Sequence, residues 1–422
     1  MKKHLMVWCL TMLVGCGFLT AQTDPDTLIP TNPASRLSIF VDWQDVEYDF
    51  IDFFKTEIPW TTYARERAGA DVFILITTQE TGSGGTEYTL TIFGRQKYAG
   101  MNDTLTFILG KDKSEDDERR GVVRKLKLGL VRYAARTESA DRLTITQEMS
   151  TAAAAPAADQ WNHWVFNLSA NGSLDGVQLR HYNYFWGDLS ADRVTEDWKL
   201  GLYAGGSYYY NVFNIDSVTT YVDSSRSYYV QGSLIRSLTA HWSIKAMAGY
   251  EYSSYGNLAF QLIAGPSAEY SIFPYAQATR RELKIAYGLR YLSNRYLEET
   301  IYDKFEESLY RQTLSGSVDT KQPWGSVYTS IGGSAYFHDL RKNNISITSR
   351  LSLQLYRGLS LNLQGYVLLQ HDQLALPKRG MTPEEILLQI KELSSQYRYW
   401  ASIGLSYSFG SLYSSVVNTR FE

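Results

Sequence analysis

Residues 350–369 read RLSLQLYRGLSLNLQGYVLL. Leu351, Leu353 and Leu355 alternate with Ser352 and Gln354. Tyr356-Arg357-Gly358 then turns the chain, and Leu359, Leu361 and Leu363 alternate with Ser360, Asn362 and Gln364. Alternation with a period of two makes a strand with two unlike faces. Two such runs across a Gly-containing turn make a hairpin. A soluble sandwich buries its leucine face against a second sheet. A membrane barrel turns that face to lipid and the polar face to a lumen.

The same pattern recurs outward from this hairpin, over 161–411. The clearest segments are Trp198-Leu200-Leu202-Ala204, Trp242-Ile244-Ala246-Ala248-Tyr250, Leu283-Ile285-Tyr287-Leu289-Tyr291 and Tyr399-Ala401-Ile403-Leu405-Tyr407-Phe409, with small or polar residues between. About twelve strands are expected, an even number that suits a bacterial barrel. Aromatics, 14% of the chain with 32 Tyr, flank the apolar stripes as interfacial girdles do. Ser237 to Ala240, Lys321 to Gly325 and Tyr356 to Gly358 read as short turns. Val212 to Arg226, Glu298 to Glu307 and Gln370 to Gln396 read as longer loops. Short turns belong to the periplasm and long loops to the outside. The N-terminal region and the tail 412–422 then lie together in the periplasm.

Residues 1–21 read as a signal peptide: Lys2 and Lys3, an apolar Leu5 to Leu19, and Leu19-Thr20-Ala21 before Gln22. Leu13-Val14-Gly15-Cys16 also fits a lipobox, the rival reading, in which Cys16 becomes a lipidated N-terminus. The two cysteines, Cys9 and Cys16, both fall here, so the mature chain is expected to lack disulfides and thiol chemistry. Beyond the signal no apolar run of about 18 residues occurs, which excludes helical membrane spans. The net charge of −3 gives no footprint for nucleic acid.

Residues 36–148 read as a small α/β domain. The expected elements are a strand over 37–41, a helix from Asp49 to Arg67 that Pro59 kinks or splits, and strands over 71–78, 88–93 and 105–109. A closing helix over 114–135 follows, capped by Ser114, with Val122, Val123, Leu126, Leu128, Leu130 and Val131 as its buried stripe. An Ala-rich linker, 149–160, separates it from the strands. The order β-α-β-β-β-α, with GADVFILITTQETGSGGTEYTLTIFG, resembles the N-terminal domain of TolB and the related curli-secretion lipoprotein fold. That resemblance implies a periplasmic protein-binding module with no catalysis, and no cofactor is expected.

SADRVTEDWKL, SLTAHWSI, AEYSIFPYAQATRREL, EETIYDK, KQPWGS and YSFGSLYSSVVNTRF resemble an uncharacterised Bacteroidetes-type outer-membrane β-barrel family. That family is related to the salt-induced outer-membrane proteins. It implies a barrel and a location but carries no assigned activity. Ser402, Gly404, Tyr407 and Phe409 resemble the C-terminal pattern read by the barrel-assembly machinery, although thirteen residues follow Phe409 here.

Asp42, Asp45, Glu47, Asp49 and Asp52 leave a strand and enter a helix, where capping and dipole partners account for them, so no metal is expected. The Gly82-Gly84-Gly85 turn joins two strands and lacks the Lys-Ser/Thr of a phosphate loop. His338-Asp339 and His371-Asp372, at the ends of strands expected to enter long loops, are the candidates for acid–base catalysis near the outer mouth. Adjacent strand residues point to opposite faces, so each pair has to work across strands, and no Ser nucleophile is marked out. Both are read as loop polar residues. Lys245, Glu251, Glu282, Lys284, Arg290 and Arg350, with Glu269, are expected on the lumen side. Their mixed signs either pair and close the lumen or line a small pore. Thr382-Pro383-Glu384-Glu385 opens a helix-like stretch in the longest loop.

The expectation is an α+β chain: a twelve-stranded transmembrane antiparallel barrel preceded by a periplasmic α/β domain. Its partners are outer-membrane lipid, the assembly machinery and a periplasmic protein bound through 36–148. The expected function is a non-enzymatic envelope scaffold. The alternatives are a small diffusion channel and an outer-membrane lipid or peptide hydrolase.

Overall fold

The structure, a computed structural model, describes residues 36–43, 49–82, 84–111, 113–138, 140–146, 159–214, 220–278, 280–356, 358–379 and 395–410. The signal peptide, Cys16, Asp45, Glu47, most of the Ala-rich linker, the stretch from Thr382 and the tail lie outside them.

The N-terminal unit is a five-stranded sheet in the order β2-β1-β3-β4-β5. Its strands are β1 (Leu37–Trp43), β2 (Thr61–Tyr63), β3 (Val72–Glu80), β4 (Thr86–Gly94) and β5 (Asn102–Leu109). β1 runs parallel to β2 and β3, and β3-β4-β5 are antiparallel. The helix expected over 49–67 ends earlier: α1 spans Asp49–Glu57, and β2 follows as a strand that the sequence reading lacked. Pro59 cannot donate to a helix, and Trp60-Thr61-Thr62-Tyr63 is an aromatic and β-branched run that favours a strand.

The closing helix α2 spans Glu115–Ala134. Ser114 caps it in a full capping box with Asp117, satisfying amides that have no partner inside the helix. Val122, Val123, Leu126, Leu130 and Tyr133 pack with Ile39, Phe54, Ile74, Leu90 and Ile92 to form the core. Leu128 is not part of that stripe: it is 58% exposed. Gly129 takes a place on the inner side instead, where a Cβ would lie 2.2 Å from Ile92 Cδ1. The opposite sheet face carries the stacked rings Phe40, Phe73 and Phe93.

Twelve strands follow, β6 to β17, in one antiparallel sheet whose spatial order is the chain order. They are β6 (Trp164–Val177), β7 (Arg180–Val194), β8 (Trp198–Asn214), β9 (Thr220–Ser237), β10 (Trp242–Ser253), β11 (Leu258–Ser271), β12 (Arg281–Tyr296), β13 (Glu306–Gln322), β14 (Gly325–Tyr336), β15 (Asp339–Tyr356), β16 (Leu359–Gln370) and β17 (Tyr397–Tyr407). The opening hairpin is β15–β16, with Leu351 opposite Leu363 and Leu353 opposite Leu361. Two connections differ from expectation. β8 and β9 extend to Asn214 and Thr220, so most of 212–226 is strand. β14 and β15 are joined through Phe337-His338 alone, so no long loop lies there.

A closed barrel was expected, but among the described residues the ladder starts at β6 and ends at β17 with no pairing between them. Closure depends on strand tilt and stagger, which the alternation of single strands does not encode. The sheet is nevertheless curled. The β3–β4 turn lies against β6 and β7: a Cβ on Gly82 would be 2.4 Å from Val194, and Gly84 is near Val165. Lys111 beside it hydrogen-bonds Asn167. Arg65, Glu66 and Arg67 of the same unit share a cavity with Tyr356, Gly358 and Ser408 at the β15–β17 end. Laid flat, β6 and β17 would be about 53 Å apart at about 4.8 Å per strand. A domain of about 100 residues has a radius of gyration of only about 13 Å. One small domain therefore touches both ends of the strand order only because the sheet bends round.

Candidate functional site

Directly paired residues in a sheet share a face, so the registers sort every side chain. Lys245 pairs with Ser267, and Ser267 with Gly288. Arg290, Lys284 and Glu282 lie at even steps from Gly288. Glu282 pairs with Asp319, Asp319 with Tyr328, Tyr328 with Arg350 and Arg350 with Gln364. Glu251 pairs with Gln261 and Gln261 with Asn294, on the same face. The registers thus bring Lys245, Glu251, Glu269, Glu282, Lys284, Arg290 and Arg350 to one polar face.

The other face carries Leu168, Leu189, Leu202, Val230, Ile244, Leu262, Leu289, Leu314, Ile331, Ile347, Leu361 and Ile403. All of them are at least partly exposed. Its charges, Arg193, Arg236, Arg281, Arg295, Glu306 and Arg341, sit near strand ends, and Arg226 lies level with the end of β10. The band between them is free of ionised side chains among the described residues. The strands run to 11–18 residues, at or above the roughly 9–11 a membrane-spanning strand needs.

On the polar face many charges are tied down. Lys284 pairs with Glu282 at 2.8 Å. Tyr275 donates to Glu269 at 3.1 Å. Arg290 donates to the Pro266 carbonyl at 2.8 Å and to Ser267 Oγ at 2.7 Å. On β7, Asp188 accepts from Tyr229 at 2.6 Å and Asp192 from Tyr203 at 2.5 Å. The sequence reading did not single out this Asp–Tyr group, although SADRV carries the same alternation. Polar spaces remain between the pairs. One of about 270 Å³ is lined by Lys245, Glu269 and Arg290, and one of about 710 Å³ by Asp319, Lys321, Arg350 and Gln364.

The loop end of this face is crossed by the chain itself. After β16, residues 371–379 span from β16 to the β10–β13 connections. Asn257, in the β10–β11 turn, donates to the Ala375 carbonyl at 2.8 Å. Ile301 N donates to the Leu376 carbonyl at 2.9 Å, and Lys378 N to the Glu299 carbonyl at 2.7 Å. Thr300 bridges Pro377, and Lys378 forms ion pairs with Glu299 and Asp303. Leu374 is buried against Leu292, Leu309 and Tyr336. This strap was not legible in the sequence, because its anchors come from two separate connections and from β12, β13 and β14.

The two His-Asp pairs both lie at this loop end. The His338 ring packs beside Tyr336, and Asp339 is bonded to Arg341. His371 Nδ1 is 3.4 Å from Asn343 Oδ1, and Asp372 accepts from Asn344. Among the described residues neither imidazole hydrogen-bonds a carboxylate or a serine hydroxyl, so the geometry builds no dyad. Of the acidic run, Asp42 pairs with Arg67 at 2.8 Å and Asp52 with Lys55 at 2.7 Å. Burial pushes the Asp42 carboxyl up while Arg67 opposes the shift. No group of three potential metal ligands occurs among the described residues. Ser402 and Gly404 lie in β17, opposite Gln364 and Asn362. Tyr407 ends that strand and stacks on Phe409 at 5.6 Å.

No protein-family model matches the chain, and no curated protein sequence matches it. The resemblances to the TolB N-terminal domain and to the Bacteroidetes-type family thus rest on the quoted segments. Solved structures similar to part of the chain include two porins. A NanC porin in a rhombohedral crystal form is 10% identical, with a TM-score of 0.27, over 57% of this chain and 99% of the porin. A KdgM porin is 14% identical, with a TM-score of 0.25, over 58% of this chain and 100% of the porin. At that level of superposition the functional reading rests on this chain's own geometry.

Proposed function

We propose that the protein is a bacterial outer-membrane β-barrel whose twelve strands close in the bilayer. In this reading it anchors its N-terminal α/β domain in the periplasm as a non-enzymatic envelope scaffold. An uncharged apolar band backed by a polar face supports the membrane assignment, because lipid accepts a sheet only when its outer face is apolar and its edges are paired. The exposed edges β6 and β17 give closure its driving force, since unpaired backbone has no partner in hydrocarbon. The observation that carries the scaffold role is that other parts of the chain meet both ends of the polar face. The 371–379 strap lies over one end and the α/β domain sits at the other. Such an arrangement suits a barrel that holds a domain for a periplasmic protein partner.

The second reading, a small diffusion channel, is favoured by the polar spaces beside Lys245 and Arg350. Single-channel conductance in a planar bilayer separates the two, measured on the full-length chain and on residues 159–422. Folded protein that is silent in both forms supports the scaffold. Steady conductance from the full-length chain overturns it in favour of the channel. Conductance only after truncation makes the α/β domain a gate.

A further inference from the structure

We infer that the junction between the α/β domain and the twelve-stranded sheet contains a binding site for a phosphate group. The cavity there has a volume of about 310 Å³, room for roughly ten water-sized volumes. Three arginines from two segments of the domain converge on it: Arg65 and Arg67 after β2, and Arg95 after β4. Its far wall is built by the β15–β16 turn and the end of β17, including Tyr356, Ser360 and Ser408.

The charges do not balance within the site. Arg67 is paired with Asp42 at 2.8 Å, and Arg65 with Glu66 at 2.8 Å. Arg95 lines the same cavity, and no described side chain or carbonyl accepts from its guanidinium. The Nε atoms of Arg65 and Arg67 are also buried without an acceptor. Burial lowers the affinity of Arg67 and Arg95 for their protons, and the nearness of Arg95 lowers that of Arg67 further. Two carboxylates set against three guanidinium groups leave one excess positive charge at the cavity.

The donor geometry selects the ligand. A carboxylate has two oxygens and is satisfied by one guanidinium fork. Three guanidinium groups around one cavity, with Arg95 lacking an acceptor, fit an anion with three or more oxygens. Guanidinium also favours phosphate because its planar fork matches that geometry and stays charged. The rings of Phe40 and Phe73 lie under Arg67, with Phe73 at 4.5 Å, and fix one guanidinium before any ligand arrives. A phosphate seated here would join the domain to the β15–β16 turn. The site would stiffen the junction on which the proposed scaffold depends, but its chemistry does not require that reading.

The phosphate can come from free phosphate or from a lipid headgroup, and two probes separate these sources. Titration calorimetry is run on the full chain folded in detergent, with inorganic phosphate and with dihexanoyl phosphatidic acid kept below its micelle concentration. Binding of either probe near one per chain is expected, weakened about tenfold or more in Arg95→Gln. Arg65→Gln, on the other segment of the domain, should weaken it similarly and guards against local misfolding in the first variant. Tighter binding of the phosphatidic acid identifies a headgroup site, and equal binding a site for free phosphate. Absence of binding by either probe at about 10 mM, or wild-type affinity in both variants, overturns the inference.

Discussion

Leu374→Ala tests whether the strap is an independent local closure. Leu374 is 5% exposed and touches Leu292, Leu309 and Tyr336, which are themselves 1–5% exposed. Removing three buried carbons loses about 2.4 kcal/mol at about 0.8 kcal/mol per methylene. The cavity left among these side chains raises the cost to about 3 kcal/mol. About 1.4 kcal/mol is a factor of ten, so the strap should open about 100-fold more often. Amide hydrogen exchange reads this directly. The Ile301 amide, held by the Leu376 carbonyl, and the Lys378 amide, held by the Glu299 carbonyl, should both exchange about 100-fold faster. Mid-strand amides of β13 and β14, near Ser317 opposite Ser330, should keep their rates, because local openings leave the ladder intact. Unchanged exchange at Ile301 refutes the seating of the strap by Leu374. Equal acceleration throughout β13 and β14 refutes its independence and makes Leu374 part of the global core.

Ser114→Ala removes the side chain that accepts from the Asp117 amide and should cost the α/β domain about 1 kcal/mol, measured by urea unfolding followed by circular dichroism. In the wild type, hydrogen bonds from the Ser114 backbone and hydroxyl hold the Asp117 carboxyl below its usual range. Its contribution is therefore complete above the unfolded carboxylate pKa of about 3.9 and is lost as the pH falls through the lower folded value. An acid-unfolding curve identical in wild type and Ser114→Ala would contradict this. Gly358→Ala places a Cβ 2.1 Å from the Ser408 carbonyl at a position with φ +68°. Both the clash and the left-handed backbone penalise alanine, by about 1–3 kcal/mol. Heat-modifiable gel mobility should show a lower melting point for the β-sheet, and an unchanged one would show that the turn relaxes freely.

The sequence by itself determined the faces and most of the elements. Alternation over two residues is a local property, so Leu351, Leu353, Leu361 and Leu363 reveal their common face without a partner, as do Lys245 and Arg290 on the other. Capping is equally local, and Ser114 followed by Asp117 marks the start of α2 within four residues. Tertiary structure decided what depends on distance along the chain. Asn257 meets Ala375 across 118 residues, and Arg65 and Arg67 after β2 meet Arg95 after β4 only through the fold of the domain. Leu128 shows the same division within one helix: its spacing placed it on the apolar stripe, but Gly129 fits beneath Ile92 and turns Leu128 outward. Whether β6 meets β17 depends on the tilt and stagger of twelve strands together. Each strand's pattern reports its own two faces and carries no record of the curvature they sum to.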